Sequence, residues 1–179
     1  MFFTHIYIYI YIKLKKHGKH IRINRKTYCI NGLEHISIGD YFGSNQGLWL
    51  EAIDDYKGNK YNPELIIGNN VAMARNNHIG CMNKIIIGNN VLMGSNILIE
   101  DHSHGNTFDY SKPRTQLPLV SNGEIIIGDN VWICDNAVIL GGAHIGNNCV
   151  IAANSVVNKS FPDNCLIGGI PAKIIKKLD

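Results

Sequence analysis

The sequence predicts an all-β chain organised around a solenoid of six-residue units. Two observations carry this. Of 179 residues, 29 are Ile, 22 Asn and 18 Gly, against 8 Ala. Ile favours strands, Asn and Gly favour turns and positive φ, and the best helix former is scarce. Second, an apolar residue recurs every six positions: at 67, 73 and 79, at 87, 93 and 99, and at 127, 133, 139, 145, 151 and 157. Neither the helical period of 3.6 nor the strand period of 2 gives this spacing. A short strand followed by a tight turn does. The phase holds through six consecutive units from Ile127 to Val157, which a set of antiparallel hairpins would not produce. A helical bundle is excluded. A net charge of +3 with 17% charged residues gives no ground for a nucleic-acid interface or a disordered chain.

Residues 2–12 (FFTHIYIYIYI) alternate strictly. They read as a strand with Ile6, Ile8, Ile10 and Ile12 on one face and Tyr7, Tyr9 and Tyr11 on the other. The stretch is shorter than the roughly 20 apolar residues that span a bilayer, and it lacks the marks of a signal peptide. The basic run 13–20 reads as a solvated connection. The first 35 residues carry no repeat and are expected to cap the solenoid's open end.

Residues 36–160 are expected to form the solenoid, within a single domain covering 1–179. The first residue of each unit points inward. So does the fifth, which is small or β-branched at Val71, Val91, Val131, Ala137, Ala143, Cys149 and Ser155. Gly and Asn between them supply turn conformations. Each coil buries its apolar face only against its neighbours.

Two segments interrupt the period. Residues 54–63 read as a polar loop or small hairpin. Residues 100–124 are a long loop of the kind that carries function, and they hold Asp101, His102, His104, Asp109 and Arg114. Residues 161–179 close the chain with a basic tail. The five cysteines are odd in number and form no CxxC pair, which points to a reducing cytoplasm and away from a disulfide framework or zinc site.

The phrases IGNNVLMGSN, IGDNVWIC, IGNNCVIAANSVV and GGIPAKIIKK resemble the hexapeptide-repeat acyltransferases. The similarity is greatest to sugar O-acetyltransferases of the maltose and galactoside type and to relatives in surface-polysaccharide pathways. It covers the C-terminal two thirds of the chain. It implies a left-handed parallel β-helix with an extruded active-site loop and a short C-terminal extension or helix. It also implies homotrimers with active sites between neighbouring subunits, acetyl-CoA as co-substrate and no metal.

The resemblance assigns His102, the first histidine of DHSHG, as general base. A neutral imidazole suits the removal of a proton from a hydroxyl. Glu100, Asp101 or a backbone carbonyl is available to orient it. His104 is an acceptor contact or a bystander. Ala153 lies along the pantetheine arm, Asn158 and Lys159 further down it, and Lys173 and Lys176 near the nucleotide phosphates. The backbone N–H of Asp135 matches a position that helps hold the tetrahedral oxyanion. The chain departs there, with Cys134 and Asp135 where the family has a small Gly and often Ser, so the Asp135 carboxylate must point away. Trp132 takes the outward sixth position of its unit, near the site or a subunit contact, or simply in packing. Asn77 and Asn96 are possible acceptor contacts. Ala74 and Met82 stand where galactoside enzymes place polar sugar ligands, so a different acceptor, or one held differently, is expected.

The expected activity is direct acetyl transfer from acetyl-CoA to a hydroxyl of a sugar or polysaccharide precursor, in a ternary complex. The alternatives are N-acetylation of a nucleotide-linked amino sugar, a non-catalytic scaffold, and a zinc hydratase using His78, His102 and His104.

Overall fold

The structure is a computed structural model that describes residues 12–178. All of the strand expected over residues 2–12 except Ile12 lies outside the described residues. From Lys16 onward the chain visits three parallel sheets in turn and returns to the first, one strand further along. The first face runs through Ile36–Ile38, Glu64–Ile67, Lys84–Ile87 and Ile125–Ile127 to His144–Ile145. The second runs through Gly43–Ser44, Ala72–Met73, Leu92–Met93 and Trp132–Ile133 to Val150–Ile151. The third runs through Trp49–Ala52, His78–Cys81, Leu98–Glu100 and Val138–Leu140 to Val156–Val157.

The period of six sets this register. Ile67, Ile87, Ile127 and Ile145 stack on the first face. Met73, Met93, Ile133 and Ile151 stack on the second. Leu50, Ile79, Ile99, Ile139 and Val157 stack on the third. None of these side chains is more than 2% exposed. Apolar burial between rungs therefore drives the winding, and each rung depends on its neighbours.

The corners explain the asparagines. Asn70, Asn76, Asn90, Asn96, Asn130, Asn136, Asn148 and Asn154 all have φ between 54° and 59°. This left-handed region is costly for most residues that carry a Cβ, and Asn tolerates it best. The same side chains form ladders. Asn70 Nδ2 donates to Asn90 Oδ1 (2.9 Å), Asn76 to Asn96 (3.1 Å) and Asn96 to Asn136 (3.0 Å). A second ladder uses the preceding residue: the Asn69, Asn89 and Asp129 N–H groups donate to Asn89, Asp129 and Asn147 Oδ1 of the next rung.

One expectation changes and one is narrowed. The segment expected as a cap supplies a rung of its own: Lys16–His17, Arg22–Ile23 and Cys29–Asn31 each pair in parallel with one face. Of the extension or helix expected at the C-terminus, the structure shows an extension of strands. Cys165–Gly169 joins the second face in parallel and then pairs antiparallel with Ala172–Lys177. The 54–63 segment is a hairpin, with Asp55–Tyr56 against Asn59–Lys60. The long loop starts as a ribbon of its own, with His102–His104 antiparallel to Leu119–Ser121.

Candidate active site

Both excursions leave from one corner, where the third face turns into the first. Trp49–Ala52 leads into the 54–63 hairpin, and Leu98–Glu100 leads into the long loop. Between them, His78–Cys81 turns directly into Lys84–Ile87. A short rung between two long ones leaves a notch. Its walls are tied together. The Tyr61 hydroxyl accepts the Leu119 N–H (3.0 Å) and donates to the Leu119 carbonyl (3.3 Å). The rings of Tyr56 and His104 lie 5.3 Å apart. The cavity so formed has a volume of about 250 Å³, and Glu51, Tyr56, His78, Glu100, His102 and His104 line it.

The short turn also fixes the chemistry. Its backbone N–H groups at Met82, Asn83 and Lys84 need acceptors. The fully buried Asp101 carboxylate supplies them, at 2.8, 2.9 and 2.8 Å. The same carboxylate lies 3.1 Å from His102 Nδ1. Asp101 is the acceptor in all four contacts, so Nδ1 carries a hydrogen, and in the neutral ring Nε2 is left as the acceptor. His102 is 6% exposed, with Nε2 3.6 Å from Glu100 Oε1. Of the three orienting groups available from the sequence, the structure selects Asp101.

The notch floor was not read from the sequence. Gly80 lies between Glu51 and Glu100 in the outward row of the third face. A Cβ at Gly80 would stand 3.3 Å from His102 Cε1, 3.6 Å from Glu100 Oε1 and 3.6 Å from His78 Nε2. Three polar side chains thus converge on one missing methyl. Burial, aided by the charge of His102 and opposed by Glu100 and Glu51, holds the His78 pKa below its ordinary value. Burial, with the Asp101 charge adding to it, pushes the Cys81 thiol far up, and burial also raises Cys29, Cys134 and Cys149. None of these four thiols is primed as an acyl carrier.

Among the expected acceptor contacts, His104 alone lines the notch. Asn77 is corrected: it is 1% exposed and its Oδ1 accepts the Ile97 N–H (3.0 Å), so it faces the interior. Asn96 is spent in the asparagine ladder. Trp132 is exposed on the second face, between Leu92 and Val150, away from this notch. The histidines His78, His102 and His104 do not gather as a metal site. The one such group among the described residues is Glu34, His35 and Asp54.

The bacterial transferase hexapeptide family (six repeats) matches residues 124–159. The putative lipopolysaccharide biosynthesis O-acetyl transferase WbbJ of Escherichia coli K12 is 34% identical over 89% of this chain and 80% of its own length. The chain belongs to the hexapeptide-repeat acetyltransferases. A crystal structure of a hexapeptide-repeat acetyltransferase from Vibrio cholerae, complexed with acetyl-coenzyme A, shares 29% identity at a TM-score of 0.63. That match covers 98% of this chain and 78% of that one. The Escherichia coli K12 galactoside O-acetyltransferase is 33% identical over 63% of this chain and 56% of its own length.

In this hexapeptide-repeat acetyltransferase the residues expected on the donor side lie elsewhere. Asp135 and Ala153 sit at the opposite edge of the third face, on adjacent rungs where it meets the second. Asp135 Oδ1 accepts the Ser95 N–H (2.7 Å), which turns the carboxylate toward the preceding rung. Its own N–H meets no acceptor among the described residues, because Ala153 stands where Asn147 receives the Asp129 N–H one corner away. Asn158 and Lys159 are exposed on His102's corner, two strand spacings or roughly 10 Å along. Lys173 and Lys176 are exposed on the terminal strand. Among the described residues no helix is long and apolar enough to cross a membrane.

Proposed function

We propose that the protein transfers the acetyl group of acetyl-CoA to a hydroxyl of a sugar or polysaccharide precursor. The observation that carries this is the Asp101–His102 pair set in the notch. Asp101 holds Nδ1–H, and Nε2 takes the proton of the acceptor hydroxyl. The oxygen attacks the thioester carbonyl carbon and forms a tetrahedral intermediate. Its collapse breaks the carbon–sulfur bond, and the imidazolium returns the proton to the departing CoA sulfur. Transfer is direct, in line with the raised thiols.

The free Asp135 N–H is the oxyanion donor in this reading. It lies across the third face from His102 in the same chain, so it comes from a neighbouring copy. In this reading the sites lie between the subunits of a homotrimer, each chain a single domain wound left-handed. Ala153, Asn158 and Lys159 flank the pantetheine arm, and Lys173 and Lys176 meet the phosphates. His104 contacts the acceptor and Trp132 the subunit boundary. The WbbJ and galactoside relatives, named for O-acetyl transfer, favour a hydroxyl acceptor.

The test is a thermal titration with acetyl-CoA, followed by acceptor turnover. About 100 Kd of ligand adds roughly 2.7 kcal/mol of stability. A saturating rise in Tm, weakened by Lys173→Ala or Lys176→Ala, together with a base-labile acetyl product, is the expected result. No shift at millimolar acetyl-CoA would remove the reading.

A further inference from the structure

The notch carries more than a base. Its floor is the gap over Gly80, and its sides are the outward carboxylates of Glu51 and Glu100 on the two flanking strands. Among the described residues, Glu51 accepts only from neutral donors, the Trp49 indole N–H (3.0 Å) and the Asn31 amide (3.3 Å). No hydrogen bond among the described residues reaches the Glu100 side chain, whose nearest ionisable neighbour is His102 Nε2 at 3.6 Å. Among the described residues, the cavity lining contains no Lys or Arg. On the adjoining hairpin, Lys60 is engaged by Asp55 at 2.9 Å, and Lys57 lies over the Tyr56 ring, 4.9 Å from its centroid. His78, on the remaining side, is held toward its neutral form by burial.

Resting on the acetyltransferase reading above, we propose that this notch is the acceptor subsite, and that it takes a sugar ring presenting hydroxyl or amino hydrogens and no anionic group. Without a Cβ at Gly80, a ring can approach the backbone between Glu51 and Glu100 and bring its reacting group within reach of His102. Glu100 and Glu51 are acceptor-only groups when ionised, so they bind neighbouring hydroxyls or an ammonium. An anionic substituent would face both carboxylates with no Lys or Arg in the lining to offset them, since Lys57 and Lys60 are held on the hairpin by Tyr56 and Asp55.

Saturation-transfer NMR tests this with three methyl glycosides: a neutral hexoside, its 2-amino analogue and its uronate. The neutral and amino probes should bind at least about tenfold more tightly than the uronate. Glu100→Gln should narrow that gap to about threefold or less. Gly80→Ala should abolish probe binding while leaving the acetyl-CoA shift in Tm and the circular dichroism spectrum intact. Equal or tighter binding of the uronate overturns the proposal. So does a gap unchanged in Glu100→Gln, or no binding of any probe to a protein that still responds to acetyl-CoA. Probe binding as expected without an acetyl-CoA shift would instead overturn the acetyltransferase reading and leave the subsite standing.

Discussion

Asp101 Oδ1 lies 3.1 Å from His102 Nδ1, and the same carboxylate closes the turn of the preceding rung through three backbone N–H groups. One buried side chain therefore sets both the corner geometry and the tautomer of the base. In the proposed mechanism, stability and catalysis are coupled at this residue.

Replacing it should show both effects. Asp101→Ala leaves three backbone donors without acceptors, at roughly 1–3 kcal/mol each, so a loss of at least about 3 kcal/mol is expected. Asp101→Asn keeps one acceptor oxygen but turns an NH2 toward other donors. It should lose less stability and still lower kcat, because Nδ1–H is no longer held. Denaturant unfolding and turnover of both variants check this. An Asp101→Ala protein of wild-type stability would contradict the hydrogen-bond assignment.

His102 should matter for turnover and not for donor binding. Loss of a general base costs typically 10²–10⁴-fold, so His102→Ala should lower kcat by about that factor. Its affinity for acetyl-CoA should stay within a few-fold of wild type. Near-normal turnover would remove His102 from the mechanism.

The corner asparagines make a separate prediction. Asn90 has φ 56° and takes part in the side-chain ladder with Asn70. A left-handed residue with an ordinary Cβ costs roughly 1–2 kcal/mol. Asn90→Ala should therefore destabilise by about 1 kcal/mol or more, and Asn90→Gly by less. The reverse order in thermal unfolding would mean that the ladder, not the backbone angle, selects Asn.

These corners show why the solenoid is legible in the sequence and the notch is not. An inward position demands an apolar residue and a left-handed corner demands Asn or Gly, so both leave a period. Asn77 could have been placed by the same rule, since it occupies the fifth, inward position of the unit that begins at Met73. His78, Gly80 and Glu51 sit in outward positions, which the winding does not constrain. Asp101 and His102 are readable as chemistry. Their pairing depends on a turn 17 to 19 residues earlier that only the register brings beside them. Aligning residue 80 with residue 100, one 20-residue circuit apart, is the signal that places Gly80 beside Glu100.

His78 makes stability depend on pH. Burial holds its pKa below the ordinary 6.5. Between the folded value and about 6.5 the unfolded chain binds more protons than the folded one, so stability rises with pH in that window. Acidification through about 6.5 should therefore weaken the fold. In His78→Gln this part of the slope should be gone. Urea unfolding of both proteins from pH 5 to 8 gives the comparison, and identical slopes would show that His78 is not held neutral.

The free Asp135 N–H admits a substitution that adds atoms rather than removing them. One corner away, Asn147 Oδ1 takes the Asp129 N–H at 2.8 Å. Asp135 lacks such a partner because residue 153 is Ala. Ala153→Asn would place a carboxamide where the second ladder continues, and the Asp135 N–H would be spent within the chain. Stability should be unchanged or slightly higher. If that N–H holds the oxyanion, kcat should fall by about 10²–10³, the usual cost of one such donor, with acetyl-CoA affinity reduced far less. A loss confined to acetyl-CoA affinity would assign Ala153 to the donor groove alone. Undiminished kcat in a variant whose structure shows the new hydrogen bond would release Asp135 from the transition state.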